Sequence, residues 1–291
     1  MSGTAVLYVL IFLMVTFWSG NYIAGKIALR EFSPLLLAGL RIGFAGVTML
    51  PLYAWERTRA SAPRLTEPFR LLLLGLLGVT LNQVFFIVGL SRTSVAHAAI
   101  IIGLTPIQVL IVAWLRGQEP ITARKAVGMA IALAGVAVLK AFEPAAAAGA
   151  TMLGDFVVFL GGLCFALFTV FGKEVTARYS TITMNAYAYV GGAVALLPLT
   201  IWEAAHQPLA HVSTGAWLAA IYMALFPSVI AYLIYYHALA HMTASRVSAF
   251  SYLQPVFASI MGVAILGESV GAPVIAGGVV ILGGVYLAER G

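Results

Sequence analysis

Aromatic and polar side chains recur at helical spacing inside stretches of the sequence that are otherwise apolar. Trp18, Asn21, Tyr22 and Gly25 stand at positions i, i+3, i+4 and i+7, so they share one face of a helix. A polar group in an apolar medium is costly unless it reaches a partner or water. Each residue alone could equally form hydrogen bonds between helices, whereas the whole set predicts a shared polar cavity. The predicted cavity residues are Trp18, Asn21, Tyr22, Arg41, Asn82, Gln83, Phe86, His97, Gln108, Tyr232, Tyr235, Ser251, Tyr252 and Gln254.

The chemistry of this set suits the binding of a small zwitterion. Aromatic faces attract an apolar side chain or a cation, and neutral amides and hydroxyls offer hydrogen bonds. The set contains no acidic cluster for a polyvalent cation and no basic cluster for a sugar nucleotide. We therefore expect uncharged amino acids, including large apolar and aromatic ones, to bind in this cavity.

The sequence motifs of enzymes and primary pumps are absent. The chain has no glycine-rich phosphate loop followed by Lys and Ser or Thr, no HExxH and no GxSxG. Cys164 is the single cysteine, so one chain forms neither a disulfide nor a multi-cysteine metal site. No acid lies convincingly in mid-span, which leaves His97 and His237 as titratable candidates and makes an obligatory pH gradient unexpected. We expect a transporter without cofactor or metal; an intramembrane enzyme and a pore are the less favoured alternatives.

Arg41 and two prolines are further candidates within apolar stretches. A buried arginine must face protein or water, so Arg41 either binds a substrate carboxylate or pairs with helix ends or Glu31. Pro106 and Pro255 lack an amide hydrogen and are expected to bend their helices. Each proline is either a static kink or a hinge.

Composition places these residues in a membrane. Apolar residues make up 62% of the chain and charged residues 9%, with a mean hydropathy of +1.01, far from the balance of a soluble domain. The apolar runs have about 20 residues, the length of a helix that crosses about 30 Å of hydrocarbon. We predict an all-α integral membrane protein with ten transmembrane helices. Their approximate bounds are 5–28, 34–54, 69–90, 95–115, 124–139, 154–173, 182–202, 215–239, 244–266 and 272–288.

The sequence also repeats itself, because the pattern of residues 104–139 returns at residues 253–288. The matched pairs, at one offset of 149 (255 − 106), are Pro106 and Pro255, Glu119 and Glu268, Gly128 and Gly277, and Gly135 and Gly284. Five spans in each half require the second half to enter the bilayer from the opposite side. We therefore predict two inverted five-helix repeats around a central cavity, at 1–142 and 151–291, joined by a linker at 143–150.

Charged residues at the ends of the spans have expected structural roles. Glu119 and Glu268 precede helix starts, where a carboxylate offsets the positive end of the helix dipole. Lys26 and Lys173 are expected to anchor spans at the membrane surface. The paired glycines are expected to let helices pack closely.

The distribution of Lys and Arg predicts the orientation in the inner (plasma) membrane. With the N-terminus in the cytoplasm, eleven basic residues lie inside and four outside, which favours cytoplasmic placement of both termini. The inside set is Arg57, Arg59, Arg64, Arg70, Arg116, Arg124, Lys125, Lys173, Arg178, Arg246 and Arg290, and the outside set is Lys26, Arg30, Arg92 and Lys140. The excess of basic residues therefore indicates attraction to the lipid bilayer and not to nucleic acid.

The motifs WSGNYIAGKIALREFSPLLLAGLR, LTPIQVLIVAWLRGQE and LQPVFASIMGVAILGE resemble the EamA-type transporters of the drug/metabolite transporter superfamily. The resemblance covers essentially the whole chain and is greatest to the YddG-type exporters of aromatic amino acids. It implies a basket of helices lined by the first four spans of each half, with the fifth and tenth at the periphery. It also implies export of neutral and aromatic amino acids, or of other drugs or metabolites, by alternating access. No obligatory protein partner is expected.

Overall fold

The computed structural model describes residues 3–59, 67–93, 98, 101–141, 151–254, 256–257, 261 and 272–291, and every regular element within them is helical. Helices predominate because backbone amides inside hydrocarbon must be satisfied within their own segment. The helices are α1 (Gly3–Ala28), α2 (Pro34–Arg57), α3 (Pro68–Arg92), α4 (Thr105–Leu115), α5 (Ala123–Ala141), α6 (Met152–Val175), α7 (Thr181–His206), α8 (Thr214–His241), α9 (Ala244–Ala249) and α10 (Ala272–Glu289).

Six of these helices, α1, α2, α3, α6, α7 and α8, are long and apolar enough to cross a membrane. Helix α4 and the stretch Ala276–Ala288 of α10 are shorter and also apolar. The chain therefore has the all-helical architecture of an integral membrane protein. The arrangement of ten spans in two inverted repeats stays a prediction, because parts of the spans predicted at 95–115 and 244–266 lie outside the described residues.

Two of the long helices contain a π-helical segment at matching positions. The segment in α3 is Leu76–Leu81 and the segment in α8 is Leu225–Ile230, again at an offset of 149 (225 − 76). In a π turn each amide bonds to the carbonyl five residues earlier, and such turns are frequent at functional sites. Both segments contribute carbonyl groups to the cavity region described below.

Helix α4 begins at Thr105, directly after a turn at 103–104. Pro106 therefore stands in the first helical turn, where its missing N–H removes no intrahelical hydrogen bond. Pro106 is expected to bend its helix, and the structure shows the helix interrupted at 103–104, directly before the turn that contains this proline. A hinge at this break stays a prediction.

The chain is also irregular at the matching place after α9. A 3₁₀ segment, Phe250–Leu253, continues α9 and tightens the backbone there. Pro255, the second hinge candidate, lies outside the described residues, as does Glu268. Interrupted helices beside a cavity are a common feature of secondary transporters.

Lys26 and Lys173 close the carboxyl ends of two helices. Lys26 Nζ donates to Leu90 O at 3.2 Å, near the end of α3, and Lys173 Nζ donates to Leu239 O, near the end of α8. Lys173 Nζ also donates to Met242 O at 2.8 Å. A cation at this position satisfies orphan carbonyls and offsets the negative end of the helix dipole. The two lysines therefore join helices, beyond the role of surface anchors predicted for them.

Helices α5 and α10 pack backbone to backbone through the predicted glycines. A Cβ on Gly128 would lie 2.4 Å from Ala288 N, and a Cβ on Gly284 would lie 2.4 Å from Ala132 N. A side chain at either position therefore requires the helices to separate. The expectation that these glycines serve close packing is confirmed at this contact.

Substituting alanine for Gly128 is expected to lower the thermal unfolding temperature of the purified protein in detergent. Alanine favours a helix over glycine by about 1 kcal/mol, but overpacking a tight contact costs about 1–3 kcal/mol. Gly283→Ala is the matched control, because nothing lies within 4 Å of a Cβ at that position. The control is expected to keep or raise the unfolding temperature. Equal effects of both substitutions would contradict the close contact between α5 and α10.

Candidate substrate cavity

A cavity of about 100 Å³ lies between α1, α2, α3, α4, α6, α8 and the 3₁₀ segment. Its wall combines aromatic rings, neutral amides, small residues and the charged side chain of Arg41. The lining residues are Trp18, Asn21, Tyr22, Arg41, Asn82, Gln83, Phe86, Ile102, Thr105, Val158, Gly161, Gly162, Phe165, Tyr232, Ser251 and Gln254.

Ten of the fourteen predicted cavity residues line this space. His97 lies outside the described residues. His237, a titratable candidate, is exposed on α8 away from the cavity and packs on His241 with 4.4 Å between ring centroids. The structure therefore places His237 outside the cavity wall.

Three other predicted residues are buried beside the cavity without lining it: Gln108, Tyr235 and Tyr252. Gln108 lies almost one turn beyond the part of α4 that reaches the cavity. The hydroxyl of Tyr235 is engaged with Thr169, with 2.6 Å between the two oxygens. Tyr252 belongs to the 3₁₀ segment, where about 120° per residue replaces the 100° assumed for an α-helix.

Sequence reasoning missed the contribution of α6 to the cavity wall. Gly161 and Gly162 bring the backbone of α6 close, and the carbonyl of Gly161 accepts a hydrogen bond from Asn82 Nδ2 at 2.9 Å. Phe165 also lines the cavity and packs edge-on against Trp18 with 5.9 Å between ring centroids. The signal was present in the repeat, because Phe165 aligns with Trp18 at an offset of 147 (165 − 18).

Trp18 and Tyr232 are held by the two π segments. Trp18 Nε1 donates to Pro227 O at 2.9 Å, and Tyr232 Oη donates to Gly78 O at 3.0 Å. Gly78 and Pro227 occupy matching positions in their segments (227 − 78 = 149). These hydrogen bonds fix the polar edge of each ring and leave its carbon framework to the cavity.

The two rings belong to a larger aromatic cluster. Trp18 and Tyr232 lie 5.9 Å apart between centroids in an edge-to-face arrangement, and Tyr232 packs in the same way on Tyr189 at 5.7 Å. These distances and angles are those that aromatic pairs prefer. The cluster therefore forms an apolar part of the cavity wall.

Amide groups supply hydrogen bonding at the wall. Gln83 Nε2 donates to Tyr189 Oη at 2.8 Å, which orients the Gln83 carbonyl. Asn21 Oδ1 and Gln83 Oε1 are buried and have no hydrogen-bond partner among the described residues. Buried acceptors are normally paired, so these two oxygens are available to N–H or O–H groups of a ligand.

Arg41 is 3% exposed, and its Nε donates to the hydroxyl oxygen of Ser228 at 2.9 Å. Ser228 lies in the π segment of α8 and itself donates to Met223 O at 2.8 Å. The alternative partner, Glu31, instead accepts from Ser213 N at 2.6 Å and Ser213 Oγ at 2.5 Å, and these bonds lower the pKa of Glu31. Arg41 therefore has a neutral partner and no carboxylate within 4.0 Å among the described side chains.

A buried ion pair joins the α4–α5 loop to α5, and hydrogen bonds from Ser245 connect it to the start of α9. Glu119 Oε2 lies 2.8 Å from Lys125 Nζ, with each side chain 5% exposed. Ser245 donates from its backbone N to Glu119 Oε1 at 3.1 Å and from its hydroxyl to Oε2. Burial raises the pKa of Glu119, but the hydrogen bonds from Lys125 and Ser245 lower it more, so the pKa lies below its ordinary value. Glu119 thus caps α9 and not the helix that follows it in sequence.

Helices long enough to cross a membrane surround a cavity with polar groups, and two of these helices contain a π segment, which is the architecture expected of a membrane transporter. The EamA-like transporter family model matches residues 5–140 and again residues 152–289. The chain therefore belongs to the EamA-like transporter family.

Curated relatives carry transporter names. An uncharacterized transporter of Archaeoglobus fulgidus is 31% identical over 97% of this chain and 98% of its own length. The S-adenosylmethionine/S-adenosylhomocysteine transporter of Chlamydia trachomatis is 26% identical over 89% of this chain and 82% of its own length. One solved crystal structure superposes with a TM-score of 0.79 at 20% identity, covering 98% of this chain and 97% of that protein, which supports the fold alone.

Proposed function

We propose that this protein is a secondary transporter that exports neutral and aromatic amino acids across the inner membrane by alternating access. The observation that carries the proposal is the cavity with aromatic walls, free amide oxygens and one buried arginine. The guanidinium of Arg41 binds the substrate carboxylate, Asn21 and Gln83 accept hydrogen bonds from the ammonium, and the rings of Trp18 and Tyr232 contact the side chain.

The cavity must widen to admit such a substrate. Its volume of about 100 Å³ is below the range of about 300–1,000 Å³ typical of pockets for small molecules. The interruption before α4 and the 3₁₀ segment after α9 both lie at the cavity, where Ile102, Thr105 and Ser251 form part of its wall. We assign the widening to changes at these interruptions, with Pro106 and Pro255 as hinges.

The proposed architecture is ten transmembrane helices in two inverted repeats, residues 1–142 and 151–291, with a linker at 143–150 and both termini in the cytoplasm. The two separate family matches support this division. The π segments at one offset and the paired lysines at the ends of α3 and α8 support it further. A YddG-type specificity and a contribution of His97 to the cavity belong to the same proposal.

Export of another metabolite is the second candidate, favoured by the name of the Chlamydia trachomatis relative. S-adenosylmethionine carries a sulfonium and an ammonium against one carboxylate, so its net charge is positive. No acidic side chain is present among the described cavity lining residues to compensate that charge. We therefore place amino acids without net charge ahead of it.

Counterflow in proteoliposomes tests the proposed function. Labelled phenylalanine and methionine are expected to exchange saturably with unlabelled solute, without an imposed pH gradient and with their chemical identity unchanged. S-adenosylmethionine, polyvalent cations and sugar nucleotides are expected to compete weakly. Protein-free liposomes are the control. Absence of exchange for both amino acids would reject the proposed function, and chemical conversion of the solute would indicate an enzyme.

A further inference from the structure

We propose that the cavity selects organic monoanions, so that the substrate carboxylate is required and the α-amino group is dispensable. This inference rests on the proposed function, because it concerns the charge of the ligand in the same cavity. A carboxylate with the same aromatic side chain but no α-amino group is therefore expected to bind more tightly than the aromatic amino acid.

The first observation is the isolation of the Arg41 charge. Its side chain is 3% exposed and lies within the apolar span α2. The hydrogen bond to Ser228 Oγ at 2.9 Å orients the guanidinium but supplies no opposite charge. A buried cation without an anion is strongly unfavourable, and a bound carboxylate offers a charge-assisted hydrogen bond that relieves it.

The second observation is that the described carboxylates are engaged elsewhere. Each of the seven acidic side chains that the structure describes has another partner. The pairs are Glu31 with Ser213, Glu56 with Thr183, Glu67 with Arg178, Glu119 with Lys125, Asp155 with Thr93, Glu174 with Arg116, and Glu203 with Ser33. Within the described part of the chain, compensation of the Arg41 charge is thus left to the ligand.

The third observation is the neutrality of the remaining wall. The open acceptors, Asn21 Oδ1 and Gln83 Oε1, are amide oxygens, and the other polar lining groups are hydroxyls and amides. A bound monoanion makes the cavity neutral overall. A zwitterion leaves one uncompensated positive charge, and an amine without a carboxylate leaves two. In a low dielectric an uncompensated charge lowers affinity, so we expect the monoanion to bind most tightly, the zwitterion less tightly and the amine least tightly.

Three ligands with the same aromatic ring isolate the effect of charge: 3-phenylpropionate, phenylalanine and 2-phenylethylamine. Equilibrium binding to the purified protein in detergent is measured by calorimetry at pH 7, because the uncharged forms of the two smaller compounds cross a bilayer unaided. We expect 3-phenylpropionate to bind about tenfold or more tightly than phenylalanine, because both ligands present a carboxylate to Arg41 but only phenylalanine adds a positive charge that the wall does not compensate. 2-Phenylethylamine is expected to bind weakest of the three.

Arg41→Gln is expected to remove the preference, so that the affinities for 3-phenylpropionate and phenylalanine converge, whereas Arg41→Lys is expected to keep their order. Thermal unfolding of each variant shows whether it is folded. If Arg41→Gln does not fold, the relative affinities of the parent protein for the three ligands decide the proposal. Equal or tighter binding of 2-phenylethylamine by the parent would overturn the inference, as would binding of phenylalanine without binding of 3-phenylpropionate. In both cases phenylalanine counterflow would leave the proposed function intact, whereas absence of that counterflow would reject the proposed function itself.

Discussion

Glu119→Ala is expected to lower the free energy of unfolding by about 3–5 kcal/mol, the cost of leaving one partner of a buried ion pair alone. The substitution strands the Lys125 ammonium, which is 5% exposed on the side chain, and removes the acceptor of both hydrogen bonds from Ser245. It also removes a carboxylate from the start of α9, where the helix dipole favours negative charge. Chemical or thermal unfolding in detergent measures the loss.

Glu67→Ala is the matched control for Glu119→Ala. Glu67 pairs with Arg178 at 2.8 Å, but the side chains are 30% and 59% exposed, so its loss is expected to be below about 1 kcal/mol. The double substitution Glu119→Met with Lys125→Met is expected to recover much of the stability, since an apolar pair of similar size requires no compensation of charge. Similar losses for Glu119→Ala and Glu67→Ala would contradict the buried pair.

The same pair predicts a dependence of stability on pH. The pKa of Glu119 is lower in the folded protein than its ordinary value. Its contribution to stability is therefore complete above the unfolded-state pKa of about 4.3 and is lost as the pH falls through the folded pKa. The stability difference between the parent and Glu119→Ala is expected to shrink across that acidic range and to stay constant near neutral pH.

Trp18→Ala and Tyr232→Ala are each expected to reduce phenylalanine and methionine counterflow about 30-fold, the effect of removing a central aromatic anchor worth about 2 kcal/mol. Both rings line the cavity and lie 5.9 Å apart between centroids. Each substitution also leaves a π-segment carbonyl without its donor. Size-exclusion chromatography must show folded, monodisperse protein for the comparison to count.

Two controls separate substrate contact from packing. Trp55→Ala removes an exposed tryptophan that packs on Arg59 and does not line the cavity, so it is expected to leave counterflow unchanged. Tyr232→Phe keeps the ring but loses the hydrogen bond to Gly78 O, so it is expected to retain most of the transport rate. Parent-like counterflow rates for both Trp18→Ala and Tyr232→Ala would contradict the cavity assignment. The aromatic residues would then serve only the packing of the helices.

The sequence predicted the α1 face of the cavity well because helical spacing is a local property. Trp18, Asn21 and Tyr22 share a face on any regular α-helix, and α1 is regular there. The apolar runs likewise predicted the long helices, since length and composition are enough for that purpose.

Helical spacing did not predict the position of a side chain where the backbone departs from an α-helix, and it did not predict interaction partners that are distant in sequence. Tyr252 was placed at the cavity from regular α-helical geometry, whereas the chain has a 3₁₀ segment there. Ser228 as the partner of Arg41 lies 187 residues away, and Ser245 as the partner of Glu119 lies 126 residues away. No local pattern encodes such pairs, because they depend on how whole helices pack.

The orientation of the cavity side chains on α3 and α8 depends on the backbone geometry of the two π segments. Each segment holds its helix in a register that a regular α-helix of the same length does not have. If Leu225–Ile230 adopted regular α geometry with the same number of residues, everything after it would turn by about 100°, which would carry Tyr232 off the cavity wall. Converting either π segment to a regular α-helix without removing a residue would therefore change the binding site, although no lining side chain would be lost.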